Sequence, residues 1–275
     1  MSGKGSCRGG PPRYPGRPAA GVYDRVVTTL PASIRVALWA SAAYAGRLPL
    51  DEVPDRALPD LDHHEGLVER LALWRDLGEQ IVLVALPRSG DLTGMPRGSA
   101  ELVAAATEAE ELVYVPGVGG ALVPVIEPFG PEGDQGWQAR WQAFDADPVP
   151  QHVVQAVALP DVELTLRQEL AGLTEQLAGA GREPLSGHGL EVLARRSLED
   201  DWALPRGLPG RAVRVIELAG SVGALADAGL DPRLQVADGH GTLQRERILH
   251  QLRDRASAAL VAATNVAAMH LVGWR

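Results

Sequence analysis

The sequence predicts an α+β protein: an antiparallel or mixed sheet of four to five strands with flanking helices, followed by a helical C-terminal unit. Three observations carry this. Short apolar, β-branched runs recur through the first 160 residues and are joined mostly by non-helical connections too short for crossover helices. Past residue 160 these runs stop, and leucines and alanines recur at three- and four-residue steps. The last such stretch, residues 241–270, sets Leu249, Leu252, Ala256, Ala259, Ala263, Val266 and His270 along one side of a helix. The expected organisation is a disordered basic tail over residues 1–25, an α+β unit over 26–160, and a helical unit over 161–275 packed on it.

Residues 31–48 have Ile34, Leu38 and Ala42 at helical spacing, and Pro49 stops the helix. Leu67, Leu71, Trp74 and Leu77 mark a second helix, ended by Gly78. The continuous apolar run Ile81 to Leu86 reads as a buried strand. Ser99 can cap a helix reaching about Ala109, because its hydroxyl can accept one of the orphan amide protons of the first turn. Leu112–Val115 and Ala121–Ile126 form a hairpin across Pro116 to Gly120, with Pro124 requiring an edge position or a bulge. Trp137, Ala139, Trp141 and Ala143 alternate with mostly polar residues as in a strand, and His152–Leu159 is a further candidate strand. In the helical unit, Leu166, Leu170, Leu173 and Leu177 share a face, 190–198 is helical, and 211–228 is a helix whose Gly220, Gly223 and Ala224 offer a narrow face to the final alanine seam. That seam demands an apolar neighbour, and His270 on it reads as a satisfied core histidine.

Composition excludes several classes. With 45% hydrophobic and 22% charged residues, wholesale disorder, a collagen-like repeat and a polytopic membrane protein are poor descriptions. The single cysteine, Cys7, excludes an internal disulfide framework and a cysteine zinc site, which suits a reducing cytoplasm. No apolar run follows the first basic residues, so export through the usual signal is not expected. The uncharged stretch from Ala256 to Trp274 carries Ser257, Thr264, Asn265 and His270 and reads as a buried helix, not a membrane span. The net charge of −9 is uneven, since Lys4, Arg8, Arg13, Arg17 and Arg25 oppose only Asp24 in the tail. An acidic body repels phosphate backbones, so nucleic acid is not an expected partner except through that tail.

Several motifs are better explained structurally. The glycines of Pro116–Gly120 precede a strand, whereas a dinucleotide loop must open a helix. Asp60 to Glu65, with His63 and His64, reads as an acidic helix start, because adjacent histidines diverge and neither has a partner four residues on. The turns Ser186-Gly187-His188-Gly189 and Asp238-Gly239-His240-Gly241 sit before helices, where small polar residues belong. Arg245, Arg247, Arg253 and Arg255 are interrupted by acids and spread around their helix. No metal site and no cofactor is expected.

The loop between the 81–86 strand and the Ser99 helix is the best candidate site. Arg88, Ser89, Asp91, Arg97 and Ser99 could hold a phosphate or carboxylate, using two guanidiniums and the first amides of the helix. Trp137, Trp141, Ala259 and Ala263 are candidate interface residues, as aromatic pairs and alanine seams suit packing against another surface. The segment Leu86-Pro87-Arg88-Ser89-Gly90-Asp91-Leu92-Thr93-Gly94-Met95-Pro96, followed by Ala104 to Ala109 and the Gly117–Pro124 hairpin, resembles a conserved, uncharacterised family of high-GC Gram-positive (actinobacterial) proteins. That resemblance implies no activity or catalytic residue. The sequence therefore points to a non-enzymatic cytoplasmic interaction or assembly protein, acting on an unknown partner or by self-association. The alternative is a small-molecule enzyme or binder using the 87–99 loop.

Overall fold

The computed structural model describes residues 30–131, 134–179, 204–230 and 239–274. The basic tail, the Ser186–Gly189 turn, the 190–198 helix and Asp238 lie outside these residues. The order of elements is α1 (Ala32–Tyr44), a short 3-10 turn (Leu50–Glu52), α2 (Val53–Ala57), β1 (His63–Glu65), α3 (Leu67–Asp76), β2 (Leu83–Ala85), α4 (Ala100–Ala109), β3 (Leu112–Val115), β4 (Gly120–Phe129), β5 (Gly136–Phe144), α5 (Gln151–Gln155), α6 (Leu159–Gly179), α7 (Gly210–Leu230) and α8 (Gly239–Leu271). The five strands form one mixed sheet in the order β1-β5-β4-β3-β2, parallel only between β1 and β5. The fold is α+β, with the helical C-terminal region packed on the sheet layer.

Two helix starts show how the sheet is framed. Ser99 caps α4 as its sequence predicts, its hydroxyl accepting from the Leu102 amide at 3.2 Å. Helix α1 follows Pro31, which has no capping side chain, and the carboxylate of Glu111 instead accepts from the Ser33 amide at 2.7 Å. A residue at the start of β3 thus closes a helix 78 residues earlier in the chain.

Strand β2 lies at the edge of the sheet, yet all three of its residues are buried. Its outer backbone groups are met by side chains from two helices. The Ser41 hydroxyl of α1 accepts from the Val82 amide and donates to the Val82 carbonyl, both at 3.1 Å. The Asn265 amide of α8 accepts from the Val84 amide at 2.9 Å and donates to the Val84 carbonyl at 3.0 Å. Residues two apart on a strand point their backbone groups to the same side, so Ser41 and Asn265 together replace a sixth strand.

Helix α8 also joins two packed regions. Its second half puts Ala259, Leu260, Ala263, Val266, Ala267 and Met269 into the main core with α1 and the sheet. Its first half puts Ile248, Leu249 and Leu252 with Ala226 of α7, flanked by Leu170 and Leu173 of α6. A side-chain carbon added at Gly223 would sit 3.9 Å from the Ala256 methyl, the close α7–α8 approach that the alanine seam predicts. No helix of the described residues is long and apolar enough to cross a membrane.

Several expectations are corrected. His152–Leu159 is not a strand: Pro150 starts α5, and Pro160 sits in the first turn of α6, where a missing amide proton costs nothing. The paired valines at 153 and 154 look strand-like, but only Val154 is buried. His63 and His64 do not open a helix. They form β1, because β5 has an open side there, and Asp62 exchanges bonds with Trp137, its backbone amide donating to the carbonyl and its carboxylate accepting from the amide. Helix α3 begins only after Gly66. His270 is exposed, the outward position of a helix end that is otherwise buried from Val266 to Leu271.

Pro124 lies in an interior strand. A proline can occupy only an antiparallel pair that needs no bond from its nitrogen, so Pro124 opposite Trp141 and Pro128 opposite Trp137 face away from β5. On that other side β3 has already ended, its last pair being Val113 with Leu122. The distal half of β4 is therefore a local edge, deprived of two donors by its own prolines.

The β3–β4 turn rests on a buried carboxylate. Glu79, 7% exposed, accepts from the Val118 amide, and its pKa is raised by burial, a shift partly opposed by bonds from Val118 and Gly117. A raised folded-state pKa means that the folded chain holds this proton more tightly, so Glu79's contribution to stability is full below the ordinary carboxylate range and is lost as pH rises through the raised value. Glu79→Gln removes this dependence. Denaturant unfolding between about pH 4 and pH 7 should show the wild type losing stability relative to the variant as pH rises. A wild type that gains stability relative to the variant toward neutral pH would contradict this assignment.

Candidate functional site

The loop after β2 is built as two turns. Arg88 and Asp91 exchange backbone bonds at 2.8 and 2.9 Å around Gly90, whose φ of +88° favours glycine. The Asp91 carboxylate then accepts from the Thr93 amide at 2.9 Å, and its pKa is lowered by bonds from the Thr93 side chain and backbone. Further on, the Arg97 carbonyl accepts from the Asp147 amide at 2.7 Å, and Gly98 bridges to Ala146. This clamps the loop against the end of β5. The close approach favours glycine at 98, since an added side-chain carbon would lie 2.6 Å from Leu102 Cδ2 and 3.1 Å from the Asp145 carbonyl oxygen.

Between this clamp and α4 lies an open groove of about 1140 Å³. Leu92, Met95, Val103 and Phe144 give it an apolar lining, while Glu101, Asp145 and Asp147 oppose the single cation Arg97. Ser99 also lines the groove, but its hydroxyl is engaged with the Leu102 amide and its carbonyl with the Val103 amide.

The five predicted loop residues are thus divided. Arg97 and Ser99 line the groove, and Ser89 lines a separate shallow depression with Ala100, Val103, Ala104, Thr107 and Glu108. Asp91 is used within the loop. Arg88 turns to the helical layer, where it meets Asp254 of α8 at 2.9 Å and Glu110 at 3.8 Å. Glu110 and Asp227 of α7 also flank Arg253, at 4.0 and 3.4 Å. Burial raises the pKa of Asp227, and Arg253 and Arg88 oppose that shift. The two guanidiniums expected to converge on one anion are therefore drawn to different surroundings, Arg97 to the groove and Arg88 to Asp254 and Glu110.

Arg88 links the loop, the end of α4 and α8. Arg88→Ala should cost about 1.5–3 kcal/mol in denaturant unfolding, the range for bonds to charged groups, and the loss should shrink at high salt because Asp254 is half exposed. A neutral substitution would show that these contacts are ornamental.

The candidate interface residues are occupied within the chain. Trp141 and Ala259 are each 4% exposed and Ala263 is fully buried, all in the main core. Trp137 is half-buried beside Asp62 at the end of the β4–β5 pair. Sequence reasoning missed the acidic residues of the groove. The available signal was the pair Asp145 and Asp147 directly after an alternating strand, with Glu101 in the first turn of the facing helix. His64 is half-buried with its pKa lowered by burial, and among the described residues no group of three or more His, Cys, Asp or Glu could hold a metal ion.

Comparison with known proteins adds a family. The Rv1486c-like protein N-terminal domain matches residues 33–179, and the Rv1486c-like protein C-terminal domain matches residues 160–261. No curated protein and no solved structure matches. The two matched segments overlap along α6 and together run from α1 into the second half of α8, so the chain belongs to the Rv1486c-like protein family.

Proposed function

We propose that the chain is a non-enzymatic, cytoplasmic interaction or assembly protein whose docking surface is the groove between the 92–98 loop, α4 and the end of β5. The observation that carries this reading is the composition of the groove, an apolar lining with three carboxylates against one guanidinium. Such a surface suits an extended segment with apolar anchors and basic side chains, since complementary charge steers encounter and apolar contacts supply affinity.

A photoreactive residue placed at Val103 in the producing cells tests it, with the exposed Leu73 as control position. The expected result is a discrete higher-mass adduct from 103 and none from 73, with the linked peptide rich in Lys or Arg and the adduct lost in Asp145→Lys/Asp147→Lys. No adduct from position 103 would overturn the reading.

The rival reading, a phosphate or carboxylate ligand in the 87–99 loop, retains Arg97 and Ser99 at one cavity. The excess negative charge around them opposes an anion. A thermal-shift screen with nucleotides, sugar phosphates and acyl phosphates should therefore give no stabilisation. A gain of about 2.7 kcal/mol at a hundred times Kd would favour the rival.

A further inference from the structure

We propose that, when no partner is bound, the groove takes the basic N-terminal segment of this same chain, residues 1–25; the inference rests on the docking reading above. Charge complementarity is the first argument. The segment carries Lys4, Arg8, Arg13, Arg17 and Arg25 against Asp24 alone, and the groove sets Glu101, Asp145 and Asp147 against Arg97. The second argument is apolar. Tyr14 and the prolines at 11, 12, 15 and 18 match the Leu92, Met95 and Phe144 surface, and proline-rich segments dock on aromatic-lined grooves with little entropy to lose.

Reach is the third argument. The described chain begins at Leu30, whose carbonyl is held by Arg35, and α1 is tied through Ser33 to Glu111 at the C-terminal end of α4. The groove lies at the opposite end of this ten-residue helix, about 15 Å away along its axis. A segment of 29 residues spans roughly 95 Å when extended and has a root-mean-square span of about 30 Å when flexible. Tethering at that length gives an effective concentration up to the millimolar range, so the segment is a built-in competitor that any partner has to displace. Its hold weakens with salt.

Cys7, the only cysteine in the chain, provides the probe without mutation. Benzophenone attached to Cys7 of the purified full-length protein is irradiated at low concentration, and the cross-links are mapped by mass spectrometry. The expected links fall within one chain on residues 92–103 and 143–147, and drop about tenfold in Asp145→Lys/Asp147→Lys, a change of about 1.4 kcal/mol. Both aspartates are exposed, and unchanged circular dichroism and melting would confirm that the variant is folded. Links scattered over the surface, links only between molecules, or links insensitive to the charge reversal would overturn the proposal. That outcome leaves the docking reading standing or falling on the Val103 experiment alone.

Discussion

Asn265→Leu is expected to destabilise the protein by about 2–5 kcal/mol, because it leaves both the amide and the carbonyl of Val84 without partners on an edge where no strand follows. Leucine keeps the four-atom skeleton of asparagine, branched at Cγ, so the substitution opens no cavity and lost packing does not account for the cost. The penalty arises from two desolvated backbone groups. Asn265→Asp should recover only part of it, since the carboxylate can accept from the Val84 amide but cannot donate to the carbonyl. Ser41→Ala, removing the matching contact at Val82, should cost about 1–3 kcal/mol. Equilibrium urea unfolding of the three variants checks the order. If Asn265→Leu lay within about 0.5 kcal/mol of wild type, the edge-closing role would be wrong.

Gly119→Ala is the second large effect. Gly119 has φ of +73°, and a side-chain carbon there would run into the Ala146 carbonyl oxygen, which is backbone and cannot swing aside. The left-handed conformation costs an alanine about 1–2 kcal/mol, and overpacking adds about 1–3 more, so a loss of about 2–5 kcal/mol is expected. The same strain should shift the 145–147 segment that Gly98 and Arg97 clamp, so the groove should be altered as well. Thermal unfolding measures the first effect, and the cross-linking yield from position 103 measures the second. A stable variant with an unchanged yield would show that the hairpin turn and the β5 end are not coupled.

Local chemistry made much of this fold readable. Ser99 announces α4, the glycines between two β-branched runs announce the β3–β4 hairpin, and alanines at three- and four-residue steps announce a helix that needs a close neighbour. What escaped depends on partners far away in sequence. Asn265 looks like one of several polar residues in an alanine-rich helix until its amide is found on Val84, 181 residues earlier. Glu79 looks like a solvated residue after a helix end until it is found under the Val118 amide. His63 and His64 are strand only because β5 has an open side, and pairing of that kind overrides local preference.

Of the candidate loop, the capped helix start was legible in the sequence and the charges around it were not. The loop after β2 borders an open groove, and Arg97 and Ser99 line it. The charges that give the groove its character come from the end of β5 and from Glu101, and Arg88 is drawn off by Asp254 and Glu110, across a junction that only the folded chain brings together. Counting arginines in the loop thus points to an anion site, whereas the assembled groove carries three carboxylates against one guanidinium.

The groove depends on α8 holding the sheet, the loop and the helical layer as one structure, and native-state amide hydrogen exchange tests this most directly. The Val84 amide, bonded to Asn265, and the amides in the second half of α8 should exchange with the same free energy, equal to that of global unfolding, and Asn265→Leu should lower both together. Release of α6, α7 and α8 at a markedly lower free energy, with β3 and β4 still protected, would contradict it.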